Sequence, residues 1–327
     1  MKKTKIRRIG VFTSGGDAPG MNACIRAITR AAIRQGLQVY GIEQGYKGMI
    51  EGKMRPLTWH SVSGILQLGG TILKSARSDA FRTKEGRAIA YEQLKHFGID
   101  ALVAIGGDGT FRGALEFMNE YDMPIVGCPG TIDNDIYGTD YTIGYDTATN
   151  TAMWAIDKIK DTANAHDRLF FVEVMGRDAG FIALRSGIAT GAEAVLVPEQ
   201  IVTIENLLAK LGRILSHRRR SCIVVVAEGD ELGGAIDIAK KVQGQFKDYD
   251  IRITILGHIQ RGGSPTCFDR VLASQLGIEA VQALLDGHTG VMIGKRHEQI
   301  VQTPFEKAVK YHHELNPTLL KIIDILS

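Results

Sequence analysis

The sequence predicts an α/β architecture of mostly parallel sheets covered by helices on both faces. Apolar runs of strand length occur at 9–12, 38–41, 101–105, 124–127, 169–174, 194–197, 222–227 and 252–256. Segments of helical periodicity, such as 21–35, 147–161 and 204–217, lie between them. Alternation of this kind over 327 residues is the pattern of parallel sheets buried on both sides. The glycine- and aspartate-rich stretches follow directly after several of these runs, where such sheets gather ligands beyond the carboxyl ends of their strands.

The chain is too long for one ordinary core, so two domains or lobes are expected, although no Pro/Ser linker or short-period repeat marks a boundary. Hydrophobic residues make up 44% and charged residues 23%, as in soluble globular proteins. A net charge of +3 gives no global electrostatic case for nucleic acid or an anionic membrane, while leaving room for local arginine clusters that bind small phosphate compounds. The basic first residues are followed by only four apolar ones, 9–12, so no secretory segment is expected there, and the later apolar runs are too short to span a bilayer. The expected location is the cytoplasm. Four cysteines, Cys24, Cys128, Cys222 and Cys267, lack CxxC spacing and read as free buried thiols rather than a disulfide framework or zinc site.

The first run leads into SGGDAPGMN (14–22). Glycines at a strand-to-helix turn let a phosphate approach backbone N–H groups at the positive end of a helix. The spacing is neither GxxxxGK[ST] nor GxGxxG, so on its own the segment fits a phosphate site or a plain tight turn equally. The run 101–105 enters GGDGT (106–110), whose glycines expose backbone donors and whose Asp108 is suited to Mg²⁺ beside bound phosphates or, alternatively, to capping the next helix. After 124–127 comes PGTIDND (129–135). Asp133 and Asp135 stand two apart in a polar loop, where one can take a proton from an attacking hydroxyl and the other can serve a metal; an Asx-rich turn is the alternative. After 252–256, GHIQRGGSP (257–265) brings His258 and Arg261 to a Gly-Gly loop at a strand end, a pairing suited to an anionic sugar because guanidinium grips phosphate by paired hydrogen bonds.

With VEVMGRDAG (172–180), these motifs stand in one order, and from about residue 9 to the last helices the chain resembles the ATP-dependent bacterial-type 6-phosphofructokinases. The resemblance implies two interleaved lobes, each a mostly parallel sheet sandwiched by helices: 1–144 plus 260–310 for ATP, and 145–259 plus 311–327 for fructose 6-phosphate. It implies Asp133 as the general base for the sugar 1-hydroxyl, with Thr131 orienting and Asp135 nearby, and Mg²⁺ held near Asp108. Gly16, Tyr46, Arg77, Ser78, Arg82, Gly107, Asp108, Gly109, Thr110 and Gly113 would surround ATP, Arg77 reaching the transferring phosphoryl group. Arg177 would neutralise transition-state charge. Met175, Gly176, Glu228, His258 and Arg261 would hold the sugar phosphate, and Arg168 and Arg252 would reach it across a subunit interface of a homotetramer.

Pyrophosphate-using relatives carry Asp in place of Gly109 and Lys in place of Gly130, so both positions favour ATP here. Asp146 departs from the uncharged aromatic residue of well-known ATP enzymes, which keeps a pyrophosphate-dependent phosphofructokinase as the alternative. For an allosteric effector, the resemblance matches Arg26, Arg30, Glu193 and Arg219 and sets Lys160 and His217 at other basic positions; Trp59, Gly64 and Ser221 depart from the pattern. The basic run 217–220 reads either as a remodelled anion site or as the solvated end of a helix. A dinucleotide-dependent dehydrogenase would require GxGxxG, which is absent, and a silent sugar-phosphate sensor has no need of Asp133, Asp108 and Arg77.

Overall fold

The computed structural model describes residues 6–166, 168–216, 221–247 and 249–326. The first part of the chain runs β1 (Arg8–Ser14), α1 (Met21–Arg34), β2 (Gln38–Ile42), α2 (Gly45–Ile50), β3 (Met54–Leu57), α3 (Lys84–His96), β4 (Ala101–Gly106), α4 (Asp108–Glu120) and β5 (Ile125–Pro129). The middle part comprises α5 (Tyr145–His166), β6 (Arg168–Val174), α6 (Phe181–Thr190), β7 (Ala194–Leu196), α7 (Ile204–Ser216), β8 (Cys222–Ala227), α8 (Ala235–Gln243) and β9 (Asp250–Ile255). It closes with α9 (Cys267–Asp286), β10 (Val291–Arg296), β11 (Gln299–Pro304), α10 (Phe305–Lys310) and α11 (Pro317–Leu326).

These elements form two compact units. Unit 1 comprises residues up to 132, 136–147 and 261–313; unit 2 comprises 133–135, 148–260 and 314 onward. Unit 1 is built on a seven-stranded sheet of order β11-β10-β5-β4-β1-β2-β3. Its five inner strands are mutually parallel, and β3 and β11 pair antiparallel at the edges. The fully buried strands β4 and β5 read as unbroken apolar runs because helices cover both faces. On one face Phe12, Leu102 and Ala104 pack with Phe111, Phe117 and Phe305. On the other, α1 and α9 approach so closely that a Cβ at Gly277 would lie 3.0 Å from Cys24 O.

Unit 2 holds a four-stranded, all-parallel sheet of order β7-β8-β6-β9. Leu169 and Phe171 of β6, Val224 and Val226 of β8, and Leu207, Leu211 and Leu215 along one stripe of α7 make its core. The stripe recurs every four residues, the spacing that keeps side chains on one helical face.

The eight expected strands are present, and three more accompany them. β3 carries Pro56 in a four-residue edge, where a missing N–H does no harm. β10 and β11 form a hairpin whose turn residues, His297 and Glu298, both adopt positive φ. Such a turn usually carries Gly or Asn, so the customary hairpin signal is missing. His258 and Arg261 lie on a 3₁₀ turn, Gly257–Arg261, rather than in the Gly-Gly loop itself. Of the cysteines, Cys24, Cys128 and Cys222 are buried free thiols, whereas Cys267, the first residue of α9, is exposed; the expectation of burial fails there because the buried side of that turn is taken by Asp269. No described helix is long and apolar enough to cross a membrane.

Within unit 1, one buried carboxylate ties the start of α5 to the start of α9. Asp269 accepts the N–H groups of Gly144 and Thr147, both at 2.8 Å, and the Thr147 hydroxyl at 2.5 Å. Thr266, the N-cap of α9, donates its hydroxyl to Asp146 at 2.6 Å, so the residue that departed from the familiar pattern serves a helix end. Burial pushes the Asp269 carboxyl up to about 6 against the opposing hydrogen bonds, with the Asp146 charge adding to the rise. A carboxyl raised in the folded state contributes stability that is present in full below its unfolded value near 4 and is lost as the pH passes about 6. Asp269→Asn is therefore expected to flatten a stability change of order 2–3 kcal/mol between about pH 4 and 7, read from urea midpoints across that range.

Candidate active site

In unit 1 the chain order places β1 between β4 and β2, so successive connections leave β1 in opposite directions and open a crevice at the carboxyl ends of β1 and β4. Ser14 and Gly106 are register partners there, and each strand ends in a glycine turn. Gly15 has φ +86°, a conformation that costs glycine little. A Cβ at Gly106 would meet Thr110 Oγ1 at 2.3 Å and Ser14 O at 2.5 Å. Thr110 links the two turns by donating its hydroxyl to Ser14 O at 3.2 Å.

Gly107 is the N-cap of α4, and Asp108 and Gly109 form its first turn. Backbone donors at a helix start favour anions, as the expectation for GGDGT requires. Asp108 Oδ2 pairs with Arg112 at 2.9 Å, while its buried Oδ1 has no hydrogen-bond partner. A Cβ at Gly109 would meet nothing within 4 Å, so this turn stands open. Thr131 is buried, with its Cβ 3.7 Å from the position a Cβ would take at Gly107.

Tyr46 is not an exposed face. It is 6% exposed, stacks on Phe81 with centroids 3.9 Å apart, and donates its hydroxyl to Thr110 O at 2.6 Å, burial pushing the phenol far up. Gly113 leaves room for that ring, since a Cβ there would lie 3.0 Å from Tyr46. These two residues support the α4 turn from beneath. Ser78 accepts the N–H of Phe81 at 3.3 Å, and Arg77 and Arg82 are exposed, Arg82 lying 3.8 Å from Asp79. The Arg261 guanidinium lies over Gly16: Nη1 donates to Asp17 O at 3.3 Å and would be 2.5 Å from a Cβ at position 16.

In unit 2 a second set gathers at the carboxyl ends of β6 and β8. Met175, Gly176 and Arg177 follow β6, and Glu228 and Gly229 follow β8. The Arg177 N–H donates to Glu228 Oε1 at 2.8 Å, and Arg177 Nε lies 3.8 Å from Asp133 Oδ2. Asp133 is buried, whereas the Arg177 side chain is 64% exposed, and Asp135 is half-buried. Arg177 itself has φ +54°, uncommon for a residue with a side chain, and Gly176 has φ +149°. The buried amide of Gln260, which sequence reasoning missed although it lies inside GHIQRGGSP, accepts the Met175 N–H at 3.3 Å and donates to Gly257 O at 3.0 Å. That clasp joins the 3₁₀ turn bearing the exposed His258 to the end of β6.

At the opposite ends of β6 and β9, parallel register sets Arg168 beside Asp250. Asp250 Oδ2 accepts Arg168 Nε at 2.8 Å and Arg252 Nη2 at 3.0 Å, and these two guanidiniums, Arg168 first, hold its carboxyl below the usual range. Asp250 was not singled out from sequence because its importance appears only through that register.

Several of the candidate effector residues make contacts within the chain. Lys160 donates to Thr190 O at 2.6 Å, at the end of α6, and Glu193 Oε2 accepts the Ile223 N–H at 2.7 Å. The Arg30 guanidinium lies over the Trp59 ring at 4.3 Å, and burial and then the Arg30 charge lower the basicity of Arg26. His217 and Arg219 lie outside the described residues.

The sequence profile for phosphofructokinase matches residues 8–284, most of the chain. The chain belongs to the phosphofructokinase family. It is 54% identical over 98% of its length to ATP-dependent 6-phosphofructokinase 2 of Bacteroides thetaiotaomicron, covering 99% of that protein. It is 55% identical to ATP-dependent 6-phosphofructokinase 1 of Thermus thermophilus, covering 98% of this chain and all of the relative. Among solved structures, phosphofructokinase from Saccharomyces cerevisiae superposes with a TM-score of 0.88 at 37% identity, over 98% of this chain and 47% of the yeast chain. A pyrophosphate-dependent phosphofructokinase from Marinobacter aquaeolei shares the fold at 21% identity, with a TM-score of 0.85 over 96% of this chain and 86% of that one.

The turn after β6 tolerates no side chain at its glycine. A Cβ at Gly176 would lie 2.2 Å from the backbone oxygen of Ala179, at a φ that L residues rarely adopt. Gly176→Ala is expected to lower stability by about 2–4 kcal/mol, measured by urea unfolding, and to displace Arg177.

Proposed function

We propose that this chain is an ATP-dependent 6-phosphofructokinase, transferring the γ-phosphoryl group of ATP to the 1-hydroxyl of fructose 6-phosphate and releasing ADP and fructose 1,6-bisphosphate. Identity above one half, along nearly the whole chain, to relatives named for that activity carries the reading. ATP is assigned to unit 1, at the paired glycine turns of β1 and β4 and the first turn of α4. Tyr46 and Gly113 support that turn, while Arg77, Ser78 and Arg82 stand on the segment leading into α3. The sugar phosphate is assigned to Met175, Gly176, Glu228, His258 and Arg261.

In the proposed reaction the sugar oxygen forms a bond to the γ-phosphorus as the bond to the ADP oxygen breaks, and the hydroxyl proton passes to the Asp133 carboxylate. Thr131, two residues earlier, orients this loop. The exposed Arg177 guanidinium, tethered through its own N–H to Glu228, supplies positive charge to the transferring group, where a loose transition state benefits most. Arg77 acts on the same group, and Met175, Glu228, His258 and Arg261 hold the sugar.

Asp108 suits Mg²⁺, because its buried Oδ1 lacks a protein partner. Among the described residues no group of three metal-ligating side chains accompanies it, which fits a cation held mainly by nucleotide phosphates and one carboxylate. When bound, the metal would neutralise charge on the phosphate oxygens.

Arg168 and Arg252 are assigned to a neighbouring subunit's sugar phosphate in a homotetramer, an arrangement that would make the site complete only in the assembly. The chain is placed in the cytoplasm, where its proposed substrates are found. Arg26 and Arg30 are assigned to an effector, while the contacts of Lys160 and Glu193 serve the frame of unit 2.

Purified protein is expected to convert ATP and fructose 6-phosphate to ADP and the bisphosphate; turnover with pyrophosphate and none with ATP would overturn the donor assignment. In the same assay, Asp133→Asn should lower kcat by about 10²–10⁴-fold while changing either KM by only a few fold. Gly109→Asp tests donor choice directly. The open surroundings and the helix start should accommodate the new carboxylate, leaving the melting temperature within about 2 °C, whereas its charge should raise the KM for ATP at least about tenfold.

A further inference from the structure

Residues 58–79 join β3 to the 3₁₀ turn Ala80–Arg82 and contain neither helix nor strand. So long an irregular stretch inside a compact unit is uncommon, and its backbone groups require partners that no regular ladder supplies. Side chains from elsewhere in unit 1 provide them. Asn22, the second residue of α1 and 1% exposed, donates its amide to Leu68 O and Gly69 O, both at 3.1 Å, and accepts the Ile72 N–H at 2.7 Å. Its neutral amide thereby meets two acceptors and one donor of the same strap.

Further fastenings lie on either side. The Thr13 hydroxyl of β1 donates to Lys74 O at 2.8 Å, so the Thr71 hydroxyl, 2.9 Å away, donates to Thr13. Ser75 Oγ donates to Gly15 O within the first glycine turn. Ser264 Oγ donates to Gln67 O at 2.8 Å, and Gly69 packs so tightly on Gly263 that a Cβ would lie 2.3 Å from its oxygen. One strap is therefore pinned both to the turn after β1 and to the loop after Arg261, with Asn22 near the middle. Arg77 and Ser78 begin two residues beyond the last of these fastenings.

We infer that Asn22 is a positioning residue for the nucleotide: by holding the 67–75 strap to α1 it sets where Arg77 and Ser78 stand relative to the Gly15–Gly16 turn. This rests on the assignment of ATP to unit 1. Asn22 acts through backbone groups and touches no substrate. An Asp of equal shape would keep the acceptor, lose both amide donors, and turn a carboxylate toward two carbonyl oxygens, an arrangement that favours its protonated form.

The test is the steady-state kinetics of the full-length protein, with ATP and fructose 6-phosphate varied separately, for wild type, Asn22→Asp and Ser75→Ala. At about pH 8, Asn22→Asp should raise the KM for ATP about tenfold while the KM for fructose 6-phosphate stays within about twofold. On lowering the pH toward about 6 the defect should shrink, because the neutral acid regains one donor, a pH response absent from wild type. Ser75→Ala should raise the KM for ATP about threefold and decides the matter if the first variant does not fold. Loss of folded enzyme lowers apparent kcat without moving KM, so a merely structural role does not give this pattern. ATP KM values within about twofold of wild type in the folded variants, or an equal rise in both KM values, would overturn the inference. Wild type without ATP turnover would instead remove the ATP assignment, and the inference with it.

Discussion

The close parallel pairing of β1 and β4 is the constraint on which unit 1 depends. Register sets Ser14 against Gly106, so two strand-to-helix turns begin side by side and compete for the same space. A single Cβ at position 106 would collide with both the other strand's backbone and the hydroxyl that bridges them. With glycine there, Thr110 can lock the two turns together while Gly107, without a side chain of its own, caps the start of α4. Tyr46 beneath α4 and the strap over the β1 turn then act as braces on an arrangement already decided by that pairing.

Unit 2 meets a different demand by a similar device. Its parallel strands β6 and β8 deliver Arg177 and Glu228 to one end of the sheet, where Arg177 donates its N–H to Glu228 from a positive φ. The backbone is held in that conformation by the Glu228 carboxylate and by the close approach of Gly229, where a Cβ would lie 2.0 Å from Arg177 O. A charged residue kept in a sparsely populated conformation is a costly arrangement, and such arrangements gather at sites whose geometry matters to function.

Much of this was legible before any coordinates. Apolar runs of strand length located all eight inner or parallel strands they were used for; in β4, β5 and β8 burial on both faces leaves no polar alternation to hide the strand, while β9 was found by its isoleucines although none of its residues is fully buried. The edges were illegible for the opposite reason: β3 contains Pro56, and the β10–β11 turn at His297–Glu298 uses side-chain-bearing residues where glycine would announce a hairpin. At the site, motifs exposed the residues that present chemistry, such as Asp108, Asp133 and Arg177. They did not expose the residues that hold these in place. Asn22, Gln260 and Asp250 act through contacts 46 to 85 positions away or through strand register, and nothing in their immediate neighbours betrays that. Tyr46 shows the same gap from the other side, for a residue associated with the nucleotide proves to be a buried brace.

The interleaving of the two units bears on how the protein is made. Each unit is assembled from three stretches of chain, so the backbone passes between them five times. All four strands of the smaller sheet lie within 168–255, and that sheet can close as soon as this span has left the ribosome. The larger sheet has most of its strands earlier, yet β5 has no neighbour on its outer side until β10 is synthesised, after the main body of unit 2. The amino-terminal half must therefore wait with an open strand edge while the middle of the chain folds, a reversal of the usual order in which domains emerge and close from the amino terminus.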